Sequence, residues 1–138
     1  MSIEDVVKFF QGDAPGFVKL VGIKVGACSQ ERVEATLESR AEVSNRAGVM
    51  HGGAIMALAD TLGGAGTIAN LPPGAGRVTI ESKTNFFAAI PVGDTARAEC
   101  TTLHRGRTTM VWQTKITRGD GKLAAIVTQT QMVIPASK

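Results

Sequence analysis

Aromatic residues are scarce in this chain, which has no tyrosine and only 4% aromatic residues overall. Sites for single-stranded nucleic acid stack bases on aromatic side chains, so this shortage argues against a nucleic-acid partner. The net charge of +3 fits any phosphate-bearing ligand, including a small molecule with a nucleotide tail. An RNA-binding domain that uses Arg105 and Arg107 is the least specific alternative, and a strong salt dependence of binding would support it.

Long hydrophobic runs and metal or redox motifs of cysteine are also absent. No stretch approaches the roughly 18 apolar residues of a membrane span, and the N-terminus lacks the pattern of a secretory signal. Cys28 and Cys100 are far apart and fit no metal-ligand spacing, which favours free, buried thiols in a reducing compartment. We therefore expect a cytoplasmic protein with no membrane partner.

The 138 residues are enough for one hydrophobic core and too few for two ordinary domains, so residues 1–138 should form a single domain. Hydrophobic periodicity predicts a short helix over 3–11, broken by Gly12 to Pro15, and a strand over 32–38 that pairs with 22–28. A small and apolar segment predicts a long buried helix from Gly52 to about Asn70. Four strands follow, at about 77–88, 94–104, 108–118 and 122–134, and their short glycine-bearing connections favour antiparallel hairpins.

This order of elements indicates an α+β fold. A helix that is apolar all round must be covered on all sides, and one curved antiparallel sheet wrapped around it would cover most of its surface. What the sheet leaves open must be covered by another subunit.

Asp60 is the only charged residue of the long helix. A lone buried carboxylate is costly unless it has partners, so the residue is either bonded to a loop or an Arg, or it has a chemical role. Gly53, Met56, Gly63 and Gly64 lie near its stripe of the helix. Glycine costs a helix about 1 kcal/mol relative to alanine, so these glycines indicate that something approaches the carboxylate closely.

His51-Gly52-Gly53 lies at the start of the same helix, where backbone N–H groups are unpaired and the helix dipole is positive. Such a place suits a carbonyl oxygen that becomes negative during acyl transfer. His51 could instead cap the helix, and it has no metal-like partner nearby. Gly52 and Asp60 are eight residues apart, about 12 Å along a helix, so one carbonyl group cannot contact both. Joint action on one substrate requires two antiparallel copies of the helix across a twofold axis.

A basic turn over 104–109 combines positive charge, hydroxyls and free N–H groups, which suit phosphate oxygens. Taken alone it is weak evidence, because a charged hairpin turn is usually only solvated. Its residues are His104, Arg105, Gly106, Arg107, Thr108 and Thr109.

The stretch NRAGVMHGG over 45–53, with Leu58-Ala59-Asp60 and Gly63-Gly64, resembles the signature of the hot dog thioesterases, nearest the phenylacetyl-CoA and hydroxybenzoyl-CoA group. The likeness runs over nearly the whole chain, including Asn85-Phe86-Phe87 and the turns at 91–94, 104–109 and 120–123. It implies a hot dog fold and hydrolysis of a small aryl or short-to-medium acyl-CoA without metal or cofactor. It also implies a homodimer, or a tetramer built as a dimer of dimers, with active sites at the dimer interface.

By position, the resemblance gives each matching residue a role. Asp60 attacks the thioester carbonyl or activates water, the Gly52 N–H polarises the carbonyl oxygen, Asn45 places the reacting group or water, and His51 orients the loop or contacts the thioester. The remaining matches are implied to bind substrate: the 104–109 turn at the nucleotide end, Phe86 and Phe87 near the pantetheine or acyl tunnel, and Gly53 and Gly64 beside Asp60.

The chain departs from the family pattern at two places. Relatives often carry an Arg just before the proline that follows the third strand, where this chain has Ala88-Ala89-Ile90 before Pro91. They also often have a hydroxyl residue one turn after the catalytic acid, where this chain has Gly64. An acyl-thioester hydratase or dehydratase, and a non-catalytic acyl-CoA binding module, are the two alternatives. Hydration needs a His and a carboxylate at one centre, and a pure binder would gain from losing the charge of Asp60.

Overall fold

The computed structural model describes residues 1–12 and 16–138. The elements of this part of the chain are α1 (Ile3–Gln11), α2 (Phe17–Val21), β1 (Lys24–Cys28), β2 (Arg32–Glu38), a 3-10 helix (Ala41–Val43), α3 (Gly52–Ile68), β3 (Gly76–Phe86), β4 (Thr95–Arg105), β5 (Thr109–Thr117) and β6 (Leu123–Ile134). The two predicted helices and the six predicted strands are confirmed, with ends within about two residues of the expected ones.

Two short elements were not predicted, namely α2 and the 3-10 helix at 41–43, which lies in a segment expected to be irregular. Helix α1 ends where expected, and its C-cap is Gly12. The rest of the predicted break, Asp13 to Pro15, lies outside the described residues. Helix α2 ends at Gly22, whose φ of 92° is left-handed and therefore suits glycine.

The six strands form one antiparallel sheet in the order β1-β2-β4-β5-β6-β3. Helix α3 packs against every strand, so the sheet curves around it as predicted. The hairpins β1–β2, β4–β5 and β5–β6 are confirmed. The expected hairpin between β3 and β4 is wrong, because β3 pairs with β6 and lies at the edge of the sheet.

The connection from β3 to β4 is bound by the loop that precedes α3. The Met50 N–H donates to the Ile90 carbonyl at 2.8 Å, and the Val92 N–H donates to the Gly48 carbonyl at 3.0 Å. The glycine-bearing turn at 91–94 is therefore part of a crossover between opposite sides of the sheet, although its sequence is typical of a hairpin.

The core lies between α3 and the concave face of the sheet. Leu58 and Leu62 of α3 are fully buried, as are Trp112 and Ile116 of β5.

None of the helices in the described residues is long and apolar enough to span a membrane.

Both cysteines are free, as predicted. Cys100 is buried, and burial raises the pKa of its thiol to about 12. Cys28 is half-buried, and burial raises the pKa of its thiol as well.

The coverage of α3 differs along its length. We call residues 62–68 the closed half, because every residue from Leu62 to Thr67 is buried. We call residues 52–61 the open half, because Gly53, Met56 and Asp60 are exposed there. These three positions follow the helical repeat, so they form one stripe that the sheet does not cover.

Candidate active site

The N-terminus of α3 is capped by His51. The Nδ1 atom of its imidazole accepts a hydrogen bond from the Gly53 N–H at 2.7 Å. An Nδ1 that accepts leaves the ring proton on Nε2. The cap takes up the Gly53 donor, whereas the Gly52 N–H has no acceptor within the described residues.

A surface groove of about 410 Å³ passes the Gly52 backbone, and Met50, Ile55, Phe86 and Phe87 line it. A Cβ atom placed on Gly52 would lie 3.2 Å from Cζ of Phe86, so the absence of a side chain lets the ring approach the helix start. The structure thus brings three of the predicted site residues together: Gly52, Phe86 and Phe87. Both rings are exposed in the single chain.

Asn45 lies in the loop before α3 and forms an Asx turn. Its Oδ1 accepts a hydrogen bond from the Ala47 N–H at 2.9 Å, which fixes the orientation of the side-chain amide. The side chain is exposed, and its Nδ2 group has no acceptor within the described residues. It therefore presents a free donor to the surroundings of the loop.

Asp60 is exposed in the single chain, which corrects the expectation that this carboxylate is buried. The physical reason is that the sheet covers only part of α3 and leaves the stripe of Asp60 open. Within the part of the chain that the structure describes, the carboxylate has one hydrogen-bond partner, the Thr79 hydroxyl of β3, which donates to Oδ1 at 2.8 Å. A bulge in β3 between Thr79 and Glu81 lies next to this contact, and bulges re-aim side chains.

The glycines that follow Asp60 make room for the chain's own side chains. A Cβ on Gly63 would lie 2.0 Å from Nε2 of Gln129, and one on Gly64 would lie 2.6 Å from Nη2 of Arg77. Sequence reasoning expected substrate to approach here, whereas the structure gives both glycines a packing reason. The contact of Gly64 with substrate stays a prediction.

The Arg77 guanidinium lies against the helix at Gly64, where there is no side chain. Burial lowers the pKa of this guanidinium, and the negative charge of Asp60 opposes that shift. A cation thus lies on the sheet beside the carboxylate and helps to compensate its charge.

The basic turn differs in detail from the expectation. His104 and Arg105 belong to the end of β4, and Thr109 begins β5. The Gly106 N–H is not free, because it donates to the Thr109 carbonyl at 2.9 Å. Arg105 donates to the Asn70 side chain at 3.1 Å, whereas Arg107 and Thr108 are exposed at the tip.

Within one chain, the predicted site residues fall into separate groups. Gly52 and Asp60 remain about 12 Å apart along α3, and the Arg105–Asn70 contact places the basic turn at the C-terminal end of that helix.

Within residues 1–12 and 16–138, no three His, Cys, Asp or Glu side chains come together in a group that could hold a metal ion.

Sequence reasoning missed four residues near Asp60: Arg77, Thr79, Gln129 and Gln131. A signal for two of them was present in β6. Gln129 and Gln131 occupy the alternate positions that continue from Val127 to Val133 on the buried face of the strand. Glutamine at core positions is unusual, and each one needs hydrogen-bond partners.

The thioesterase superfamily model matches residues 47–125, more than half of the chain. A putative esterase of Haemophilus influenzae is 32% identical over 118 residues, which are 85% of this chain and 84% of that protein. A 1,4-dihydroxy-2-naphthoyl-CoA hydrolase of Listeria monocytogenes is 30% identical over 112 residues, 80% of this chain and 89% of that one. A crystal structure of a mutant thioesterase from Pseudomonas aeruginosa superposes with a TM-score of 0.85 at 27% identity and covers 98% of this chain and 95% of its own. The sequence match, the curved sheet and the central helix agree: the chain belongs to the thioesterase superfamily, has its hot dog fold and is a thioester hydrolase.

Proposed function

We propose that the protein hydrolyses acyl-CoA thioesters of small aryl or short-to-medium acyl groups, in active sites that lie between two copies of the chain. In this proposal Asp60 is the catalytic carboxylate and the Gly52 N–H polarises the thioester carbonyl. The observation that carries it is that the open half of one helix holds both an exposed carboxylate and an N–H with no acceptor among the described residues.

The geometry of α3 supports the role of a second copy. Gly52 and Asp60 lie too far apart to act on one carbonyl, and Met56 lies halfway between them. A twofold axis near Met56 would place the Gly52 of each copy beside the Asp60 of the other. Met56 is exposed, so this stripe is free to pack against the same stripe of a partner. Strand β3 lies at the sheet edge beside it and has one unpaired side.

The chemistry then follows from the two groups. Asp60 removes a proton from water as the water oxygen bonds to the thioester carbon, or it attacks that carbon itself and the resulting anhydride is hydrolysed. The Gly52 N–H and the positive end of the helix dipole stabilise the oxyanion. Collapse of the oxyanion breaks the C–S bond, and the CoA thiolate takes up a proton. Water is consumed, and the products are the free acid and the CoA thiol.

In this proposal the basic turn binds the nucleotide end of the substrate. It contacts Asn70, just beyond Ile68 at the end of α3, and Ile68 lies eight residues or about 12 Å along the helix from Asp60. The extended pantetheine arm of CoA spans a distance of this order. Arg107 is exposed at the tip, which makes it the better candidate for a phosphate contact than the anchored Arg105.

The groove at the helix start supports the proposed acyl range. It is lined by Phe86 and Phe87 and has a volume of about 410 Å³, which suits a small aryl or short acyl group. The name of the Listeria relative gives an aromatic CoA thioester as its substrate. This similarity favours aryl substrates for this chain as well.

The test is thiol release from short, medium, long-chain and aryl acyl-CoAs by wild type and by Asp60→Asn. We expect wild type to release thiol, and the variant to lose about 10²- to 10⁴-fold in kcat with its fold and acyl-CoA binding retained. The amide is nearly isosteric with the carboxylate but is a poor base and nucleophile. Glu31→Gln, at an exposed acid before β2, is the matched control and should turn over normally.

Two results would contradict the proposal. Near-normal turnover by Asp60→Asn would remove the carboxylate from the mechanism. Binding of acyl-CoA without thiol release from any substrate would favour the hydratase or the binding module instead.

A further inference from the structure

A chain of hydrogen bonds runs from the sheet to the Asp60 carboxylate. The Gln131 Nε2 group donates to the Thr79 hydroxyl at 2.7 Å and to Oε1 of Gln129 at 2.9 Å. Nε2 of Gln129 donates to the Ala59 carbonyl at 2.8 Å. This series of hydrogen bonds therefore begins at the Ala59 carbonyl next to Asp60 and returns to the carboxylate of Asp60 through Thr79.

Both glutamine side chains are inside the protein. Gln129 is 1% exposed and Gln131 is 0% exposed, although the site that they approach is open. A buried amide is costly unless its donors and acceptor are satisfied. Gly63 allows this burial, because a side chain there would collide with the amide of Gln129.

The direction of each hydrogen bond is fixed by its two ends. The Ala59 carbonyl can only accept, so Gln129 must present its NH₂ group to it and its oxygen to Gln131. Gln131 must then present its own NH₂ group to both Gln129 and Thr79. At the other side, the Arg77 guanidinium can only donate, and its Nη1 lies 3.5 Å from Oε1 of Gln131. Both ends thus require the same orientation of Gln131.

This orientation determines what the Thr79 hydroxyl can do. Its oxygen accepts from Gln131, so its single proton is left for Asp60. Without Gln131, the proton of the threonine hydroxyl could turn away from Asp60 towards another acceptor. With Gln131 in place, it points a fixed donor at one carboxylate oxygen, which holds the carboxylate in one orientation.

We propose that Gln131 is a positioning residue of the thioesterase site, which acts through Thr79 to hold the Asp60 carboxylate in its reactive orientation, with Gln129 fixing the polarity of the Gln131 amide. This inference rests on the proposed catalytic role of Asp60. Gln131 itself contacts neither substrate nor the reacting atoms.

The experiment is a double-mutant cycle in steady-state kinetics with Gln131→Met, Thr79→Val and the double variant. We expect Gln131→Met to lower kcat about tenfold, since it leaves the hydrogen bond to a charged group without its fixed direction. KM should stay within about twofold, because the acyl and CoA contacts are untouched. In the Thr79→Val background, Gln131→Met should change kcat by less than about twofold, because its route to Asp60 is already removed.

Two further variants complete the design. Thr79→Ser keeps the hydroxyl and should retain kcat within about threefold of wild type. Gln113 follows Trp112 in β5, so its side chain points to the face of the sheet opposite to the buried Trp112. Gln113→Met should therefore leave kcat unchanged. If Gln131→Met does not fold, Gln131→Leu takes its place, because it also removes the amide without adding a charge beside Asp60, and the same loss of kcat and the same cycle are expected.

The inference is overturned if Gln131 variants lower kcat equally with and without Thr79, or if only KM changes. Asp60→Asn in the same assay separates this outcome from failure of the proposed function. Loss of kcat in Asp60→Asn with no coupling between Gln131 and Thr79 would reject the positioning role alone. Retained kcat in Asp60→Asn would reject both.

Discussion

The two halves of α3 have similar compositions and very different surroundings. Both consist mainly of small and aliphatic residues, and neither shows a polar face apart from Asp60. In the closed half the sheet packs so tightly that the Trp112 ring lies directly against the helix at Gly66, with no room for a side chain there. The open half is left with an uncovered stripe through Met56 and Asp60. Two segments of similar composition therefore differ in role: one packs closely against the sheet, and the other keeps a stripe that is accessible from solvent.

The largest expected effect concerns the open half. We predict that Met56→Glu raises the dimer dissociation constant by about two orders of magnitude, because like charges would meet near the twofold axis. Turnover should fall together with the fraction of dimer, because each site of the proposed dimer uses groups from both copies. Analytical ultracentrifugation and thiol release across a range of protein concentrations measure the two effects.

The matched control is Leu103→Glu, which adds the same charge at another exposed apolar residue, on β4. It should leave the dimer constant and turnover unchanged. An intact, active Met56→Glu dimer would show that the open half is not the interface.

The next effect concerns the closed half. We predict that Gly66→Ala lowers the free energy of unfolding by about 1–3 kcal/mol, because a Cβ there would lie 2.8 Å from Cη2 of the Trp112 ring. The ring cannot move easily, since it is fully buried and its Nε1 donates to the Thr67 hydroxyl at 2.9 Å. Urea unfolding followed by Trp112 fluorescence gives the change.

Thr61→Ala in the open half is the control, and its unfolding free energy should stay within about 0.5 kcal/mol of wild type. Equal losses in the two variants would mean that the halves do not differ in packing.

The smallest effect extends the comparison beyond the end of the closed half, to the two arginines of the basic turn. We predict that Arg107→Ala raises KM for acyl-CoA about fivefold, the equivalent of roughly 1 kcal/mol of exposed ionic contact, with kcat unchanged. Arg105→Ala should raise KM less, because Arg105 is held by Asn70. The measurement is KM at low and high salt, and equal KM values for Arg107→Ala and wild type would place the phosphates elsewhere.

Much of the fold could be predicted because its signals are local. Helix α3 was predicted from an unbroken run of small and apolar residues and strand β2 from its alternating pattern, and the glycine turn before β6 fits a true hairpin. The β3–β4 pairing failed because a turn sequence does not specify which strands it joins. The Pro91–Asp94 turn is held by the loop before α3, and that contact is not visible in either segment alone.

The candidate site was predicted in part for the same reason. Asp60 and Gly52 stand out because a charge and a helix start are visible in the sequence. Gln131 is visible only as a glutamine on the buried face of β6, and its link to Asp60 through Thr79 depends on the register of β3 against β6. Thr79 is one of many hydroxyl residues in the strands, and nothing local distinguishes it.

The six strands, the two longer helices, the single carboxylate on an apolar helix and the need for something to cover that helix all follow from the amino-acid sequence. They depend on hydrophobic patterning, on the cost of exposing apolar surface to water and on the cost of leaving backbone groups without hydrogen bonds. Which stripe of the helix stays open, which strand lies at the sheet edge, and which side chains surround Asp60 depend on the packing of the whole chain. Those outcomes depend on strand order and register, which are set by contacts between residues far apart in the chain.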